Sequence, residues 1–255
     1  QQGALVGWHH RVAAPRVLEI TDKQRWDTAQ GKDVIAMLGA ESSRYDIPNF
    51  LAEHVMTERR QRVCAWRGIS TSYTKFAVES FIDECAMARG VDPLQFRMAL
   101  CHNNPRALTL LETVAEMADW SRPREGTALG LALAGYHLSF AAGIAEVAVD
   151  EASGAIKVLN FWLTADAGYI IAPHNTEAQL ESNVIFGISN ALQERIDISG
   201  GEVQQSNFHD YPIMRMNEVP NIEVRAISTD NHPSGIGEIG LASTGAAVAN
   251  AVFAA

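Results

Sequence analysis

One stretch near the end of the chain limits its possible folds more than any other. Pro233-Ser-Gly-Ile-Gly-Glu-Ile-Gly240 sets a single acid, Glu238, among three glycines, and Leu-Ala-Ser-Thr244 leads from it into a run of small residues that reaches Ala255. Glycine backbones enter conformations closed to other residues and let a ligand approach closely. Ser243 or Thr244 is the expected N-cap of a helix made from the small-residue run. A helix N-terminus offers unpaired N–H groups and the positive end of a dipole, which favour an anion. The stretch therefore reads as one carboxylate in a close-approach loop beside an anion-favouring helix start. Taken alone, Gly-x-Gly-Glu-x-Gly also describes an ordinary turn.

The remaining composition narrows the alternatives. At 255 residues, 47% hydrophobic and 20% charged, the chain can bury a sizeable core as one large domain or two small ones. A formal net charge of −10 argues against nucleic acid as a partner, which would require a basic face. No apolar run is long enough to span a bilayer. Cys64, Cys85 and Cys101 are too few and too scattered for a disulfide scaffold or a Cys-x-x-Cys metal site, and read as buried thiols. His9 and His10, adjacent on a strand, point to opposite faces and do not share one ion. His209 beside Asp210 suggests a hydrolase, but no Gly-x-Ser-x-Gly elbow accompanies it.

In chain order, Gly7–Pro15 predicts a short strand closed by Pro15, followed by polar loops with a short helix near Lys32–Gly39. Tyr45-Asp-Ile-Pro-Asn49 is a turn, and the charged run Glu58–Arg62 a solvated face. Arg67, between Trp66 and Gly68, either lies on the tryptophan or reaches into a pocket. Phe76–Arg89 is a helix whose apolar stripe is Ala77, Phe81, Cys85 and Ala88, widened by Val78, Ile82 and Ala86, with Glu79 off it; Gly90 ends it. Asp92-Pro93 and Asn104-Pro105 start two more helices, with the Asp and Asn as N-caps and proline at the first helical position. Beyond Thr127 the pattern turns to strands, with a hairpin around Glu151-Ala-Ser-Gly154. Thr176–Glu194 is a helix whose Thr176-x-x-Gln179 spacing suits a capping box, and Gly187 within it implies close packing. Ile196–Gln205 and Asn221–Ser228 are further strands. Helices and hairpins segregate, so the fold class is α+β, with mixed sheets and packed helices. The expected organisation is a strand, loop and helical module over 1–120, a linker at 121–127 and a sheet-rich module over 128–255 that carries the glutamate loop.

In this order, Trp8-His-His-Arg11, Trp66-Arg67, Phe76-Ala-Val-Glu-Ser-Phe-Ile-Asp-Glu84, Asp92-Pro-Leu-Gln-Phe-Arg97, Gln179-Leu-Glu-Ser-Asn-Val-Ile-Phe-Gly187, Gln205-Ser-Asn-Phe-His-Asp-Tyr-Pro212 and Gly235-Ile-Gly-Glu238 resemble one family. It is the large, molybdenum-cofactor-binding subunit of the xanthine dehydrogenase/aldehyde oxidase family, of the isoquinoline 1-oxidoreductase β-subunit type. The resemblance implies the C-terminal part of a molybdenum-cofactor-binding domain, hence a piece of a longer subunit lacking its upstream Gly-Gly-Gly-Phe-Gly loop. It implies a molybdopterin cofactor, in its plain or cytosine dinucleotide form, with [2Fe–2S] clusters on a partner subunit. The implied substrate is a small aldehyde or N-heterocycle, hydroxylated with oxygen derived from water. Glu238 would be the catalytic base. Gln179, Gly235, Gly237, Ser243 and Thr244 would contact the cofactor, and Arg67 would lie at the substrate pocket. Where relatives often carry Gly, this chain has Ser182, and Ile239 stands where they usually have Pro. The competing reading is a non-catalytic fragment that keeps the fold for subunit assembly and binds no molybdenum.

Overall fold

The computed structural model describes residues 4–40, 44–58 and 63–255. The N-terminal part holds strand β1 (Trp8–Ala14), short helices α1 (Leu18–Thr21), α2 (Lys23–Thr28) and α3 (Val34–Met37), and strand β2 (Phe50–Met56). β1 and β2 pair in parallel, Trp8 opposite Phe50 through Ala14 opposite Met56. On this ribbon the exposed His9 and Arg11 both contact Glu53. Of the charged run ending at Arg62, Glu58 pairs with Arg16 at 2.8 Å, and residues 59–62 lie outside the described residues.

Helices α4 (Thr71–Ala88), α5 (Pro93–Leu100) and α6 (Pro105–Met117) follow. The local signals set α5 and α6: Asp92 accepts from Gln95 N and Asn104 from Ala107 N, each with proline in the first turn. Gly90, at φ +62°, closes α4 in the left-handed region that glycine enters without strain. The expected stripe on α4 is corrected. Phe81, Ala77 and Ala88 are exposed and Cys85 half-buried, while Val78, Glu79, Ile82, Asp83 and Ala86 face inward. The inward face is offset by about one residue, because it carries two acids that a hydrophobicity count places outside. Of the three cysteines, Cys101 alone is buried, and burial pushes its thiol up to about 12.

Those acids belong to a buried polar cluster. The Glu79 carboxylate accepts from Tyr45 Oη at 2.8 Å, Arg97 Nε at 3.0 Å and Leu133 N at 2.9 Å. Arg97 also donates to Asp83 at 2.6 Å and to Glu79 O at 2.9 Å. Four segments, including a strand of the main sheet, are fastened together through these two side chains. Burial raises the Tyr45 phenol well above its usual range, with the Glu79 charge adding to the effect.

Residues 121–127 are irregular and lead into β3 (Ala128–Tyr136), β4 (Ser139–Val149) and β5 (Ile156–Asp166), an antiparallel meander. Helix α7 (Pro173–Leu192) comes next, followed by a small ribbon of β6 (Ile198–Ser199) and β7 (Glu202–Val203), then a 3-10 turn at Met216–Glu218. Strand β8 (Asn221–Ala226) pairs parallel to β5, giving the sheet order β3-β4-β5-β8. Both faces of the sheet are covered, which explains the nearly continuous apolar strands. Leu131, Leu133, Ala142 and Ile144 share one core with Val78, Ile82, Leu110, Leu111 and Val114 of the helices. Ala132, Ala141, Ala145, Phe161 and Leu163 share the other with Leu180, Val184 and Ile188 of α7.

That second core also receives α8 (Ile239–Ala254). Most of its residues, including Ile239–Thr244 and Ala246–Val248, are buried. It touches β3, β4, α4 and α7. A helix enclosed on this many sides needs a thin surface, and Gly, Ala, Ser, Thr and Val provide one. A Cβ at Gly130 of β3 would run into Ala247 O and Ala251 N, so strand and helix backbones meet directly. A Cβ at Gly187 would sit 2.6 Å from Thr244 Cβ, which is the close packing expected of that glycine. Asn250 donates to Leu131 O at 2.9 Å and Ser189 lines the opposite helix as a buried hydroxyl.

Two expected helix starts are corrected. α7 begins at Pro173 with Ala172 as N-cap, so Thr176 and Gln179 lie within the helix and form no capping box. α8 begins at Ile239 with Glu238 itself as N-cap; Ser243 and Thr244 lie inside it, and both hydroxyls donate to Gly240 O, at 2.9 and 2.8 Å. Small hydroxyls resemble caps by type, but within a helix they bond to a carbonyl one turn back.

Candidate active site

Glu238 stands where the 233–238 loop enters α8, half-buried at the edge of the packed core. Its Oε1 accepts from Gly68 N at 2.9 Å. This contact ties the carboxylate to a segment 170 positions earlier, the turn Trp66-Arg-Gly-Ile69 before α4. There Gly68 adopts φ +86°, and a Cβ would press on Leu241 and Ser72. Glycine is required at this point both for the backbone conformation and for the approach to α8. The phenol of Tyr136, at the tip of the β3–β4 hairpin, also lies against Glu238. Burial, and then the Glu238 charge, raises the phenol above its usual value.

The loop ahead of Glu238 is held at three successive carbonyls, each by a different element. Ser139 Oγ, on the same hairpin tip, donates to Gly235 O at 2.6 Å. Asn183 Nδ2, on α7, donates to Ile236 O at 3.3 Å. Arg67 donates to Gly237 O from Nε at 2.8 Å and from Nη2 at 2.6 Å. Asn183 Oδ1 then accepts from Leu241 N at 3.1 Å, fixing the first turn of α8. A loop rich in glycine has the most backbone freedom to lose, and these bonds remove it before any ligand arrives.

The outer side of the loop is open. A Cβ at Gly235 would meet nothing within 4 Å, and one at Gly237 would meet only Gln179 Nε2, at 3.2 Å. Gln179 therefore faces the loop from α7, so the structure brings Glu238, Gly235, Gly237, Gln179 and Arg67 together. Ser243 and Thr244 are elsewhere. Both are fully buried in the body of α8, with Thr244 packed on Gly187 and Ser243 near Gly143, and no cofactor contact is assigned to either side chain. Arg67 neither lies on Trp66 nor points outward. Its guanidinium is engaged by Gly237 O and by Ser182, through Nη1 to Ser182 Oγ at 2.9 Å, and it sits 5.5 Å from the Phe186 ring centre. Trp66 packs on the same ring, with centroids 5.8 Å apart. Burial lowers the Arg67 pKa, with the Glu238 charge opposing.

Tyr136, Ser139 and Asn183 are the contributors that sequence reading missed. Tyr136 and Ser139 flank a two-residue turn in which His137 has φ +51°. The sequence carries no turn signal there, since neither His137 nor Leu138 is a usual turn residue. Asn183, buried between Leu180 and Val184, did carry a signal: an amide on an inward helix face needs partners. Among the described residues no group of three or more His, Cys, Asp or Glu side chains could hold a metal ion.

Comparison with known proteins supplies context for this geometry. Residues 109–220 match the family model for the molybdopterin cofactor-binding domain. The chain is 36% identical to the beta subunit of isoquinoline 1-oxidoreductase from Brevundimonas diminuta, over 97% of this chain and 32% of that one. It is 32% identical to a subunit of nicotinate dehydrogenase from Pseudomonas putida, over 82% of this chain and 20% of the relative. The chain thus spans a third or less of the length of these relatives. Among solved structures, quinoline 2-oxidoreductase from Pseudomonas putida 86 superposes with a TM-score of 0.79 at 13% identity, covering 99% of this chain and 57% of that one. At that identity the likeness shows the α+β fold.

Proposed function

Since the chain belongs to the family of molybdopterin cofactor-binding domains, we propose that it supplies the catalytic base and one wall of the cofactor pocket in a molybdenum hydroxylase. The observation that carries this reading is Glu238, a half-buried carboxylate oriented by Gly68 N–H at the mouth of a fixed, outwardly open glycine loop.

The residues present suit the cofactor. The open side of Gly235 and Gly237 lets a large group approach the backbone, and Gln179 Nε2 stands beside it as a donor to an anionic oxygen. With no three-residue ligand cluster among the described residues, the metal would arrive held by its own organic ligand, as a pterin dithiolene does. Gln179 and the backbone of Gly235 and Gly237 would hold it. The chemistry such a cofactor supplies is two-electron oxidation of an electron-poor carbon with oxygen taken from water. In this scheme Glu238 accepts a proton at Oε2, the oxygen not held by Gly68, as the carbon–oxygen bond forms. The Tyr136 phenol and Gly68 N–H keep the carboxylate aimed, and the three held carbonyls prevent the loop from following the substrate. The substrate class is an aldehyde or N-heteroaromatic ring. An iron–sulfur partner subunit with [2Fe–2S] clusters takes the electrons, and the remaining part of the large subunit closes the pocket.

The test is metal analysis and turnover in the complete complex. Glu238→Gln is expected to retain molybdenum and pterin while kcat falls by about 10²–10⁴-fold. Turnover at the parental rate would remove Glu238 from the mechanism. A complex with all its chains but without molybdenum or pterin would favour the assembly-only reading.

A further inference from the structure

We propose that Arg67 is a positioning residue for the catalytic loop rather than a substrate contact, and that it works as a pair with Ser182. This rests on the reading of Glu238 as the base. Nε and Nη2 both donate to Gly237 O, at 2.8 and 2.6 Å, while Nη1 donates to Ser182 Oγ at 2.9 Å and to Ser182 O at 3.4 Å. One face of the group is covered by Phe186, on which Trp66 also packs. The planar fork is therefore filled by the protein itself, from the carbonyl immediately before the base on one side and from α7 on the other.

The position of Gly237 O makes this contact consequential. The peptide bond that carries it also carries the N–H of Glu238, so its plane sets the direction in which the Glu238 side chain leaves the backbone. The residue after Arg67 supplies the second constraint, because Gly68 N–H holds Oε1. One dipeptide thus grips the catalytic residue at both ends, with its side chain on the preceding carbonyl and its backbone on the carboxylate. Ser182 anchors the grip to α7, the helix that also presents Gln179 and Asn183. A lysine at 67 would keep the charge and lose the two convergent bonds to one carbonyl oxygen, because an ammonium cannot reproduce the guanidinium plane. Ser182 has a specific role in this arrangement: a glycine there would leave Nη1 with the backbone carbonyl alone.

The experiment uses the complete molybdenum-loaded complex with Arg67→Lys, Arg67→Ala and Ser182→Ala, and Glu238→Gln alongside. Expected is a graded loss of kcat, least in Ser182→Ala and reaching about 10²-fold in Arg67→Ala, with KM held within about twofold and molybdenum content unchanged. Added guanidinium ion restores part of the Arg67→Ala rate. Hydrogen exchange of the amides in residues 235–240 rises in the same order as kcat falls. If Arg67→Ala does not accumulate, the other two variants carry the kcat, KM, molybdenum and exchange measurements. A raised KM at unchanged kcat would make Arg67 a substrate contact and overturn the proposal. Unchanged exchange in residues 235–240 together with unchanged kcat would overturn it as well. Full turnover by Glu238→Gln would sink the base reading alone, since the exchange measurement decides separately whether Arg67 holds the loop.

Discussion

Gly130→Ala should be far more damaging than its single added methyl suggests. At Gly130 the backbone of β3 lies directly on α8, and a Cβ would approach Ala247 O and Ala251 N and come to 2.7 Å from Ala251 Cα. Carbon atoms settle about 3.5–4.0 Å apart, so strand and helix would have to separate by about 1 Å. Neither can yield through a rotamer, because every contacted atom is main chain. Overpacking of this kind costs about 1–3 kcal/mol and sometimes more. For a chain of this size that corresponds to a melting temperature lower by about 2–12 °C. Gly143→Ala provides the comparison, since its Cβ would meet Phe161 side-chain atoms at 3.0 and 3.1 Å, and a ring edge can move by a few tenths of an ångström. Calorimetry or dye-monitored melting of both variants in the complete protein is the assay. Because the proposed base, Glu238, is the N-cap of α8, Gly130→Ala should also lower kcat, by up to about 10²-fold per ångström of displacement. Equal melting temperatures for Gly130→Ala and Gly143→Ala would refute the idea that backbone contact with α8 sets the cost.

Two further outcomes test other parts of the structure. Arg97→Met leaves Glu79 and Asp83 buried without their cation and should destabilise by about 3–5 kcal/mol, read as a loss of folded protein or a large drop in melting temperature. Asp210 accepts from the N–H groups of Ser206 and Asn207, which hold its carboxyl down from 3.8 to about 2. A depressed folded pKa adds stability that is present above pH 3.8 and lost as pH falls through about 2. Asp210→Asn should therefore be less stable than the parent near pH 5 and converge with it near pH 2 in melting experiments; a constant gap across that range would contradict the assignment.

The parts of the fold that were legible in the sequence are those fixed within a few residues. Asp92-Pro93 and Asn104-Pro105 cap their helices because cap and acceptor lie within one turn. The hairpin around Glu151–Gly154 follows for the same reason, and Gly187 announced a close crossing because glycine within a helix has a local cost. Glu79 was misread because its partners Tyr45, Arg97 and Leu133 are 34, 18 and 54 positions away, and only together do they make an inward carboxylate tolerable. Of the site, Glu238 and its glycines could be singled out from composition, and Gln179 and Arg67 through resemblance. The restraints on the loop could not. Ser139, Asn183 and Tyr136 act through contacts made only after the sheet and α7 are in place.

α8 has one more consequence. Its buried residues are mostly Gly, Ala, Ser, Thr and Val, side chains with few or no rotatable bonds, and they are wedged against strand and helix backbones on several sides. Such a body has little rotamer entropy to lose and few soft modes through which to yield. Between this stiff support and the carboxylate oxygens of Glu238, its N-cap, stand the χ angles of that residue alone. The proposed base is therefore mounted like a short lever on a fixed block: thermal excursions of the carboxylate are confined to its own torsions, and a disturbance elsewhere in α8 reaches that carboxylate as a whole-body shift instead of dying away along the chain.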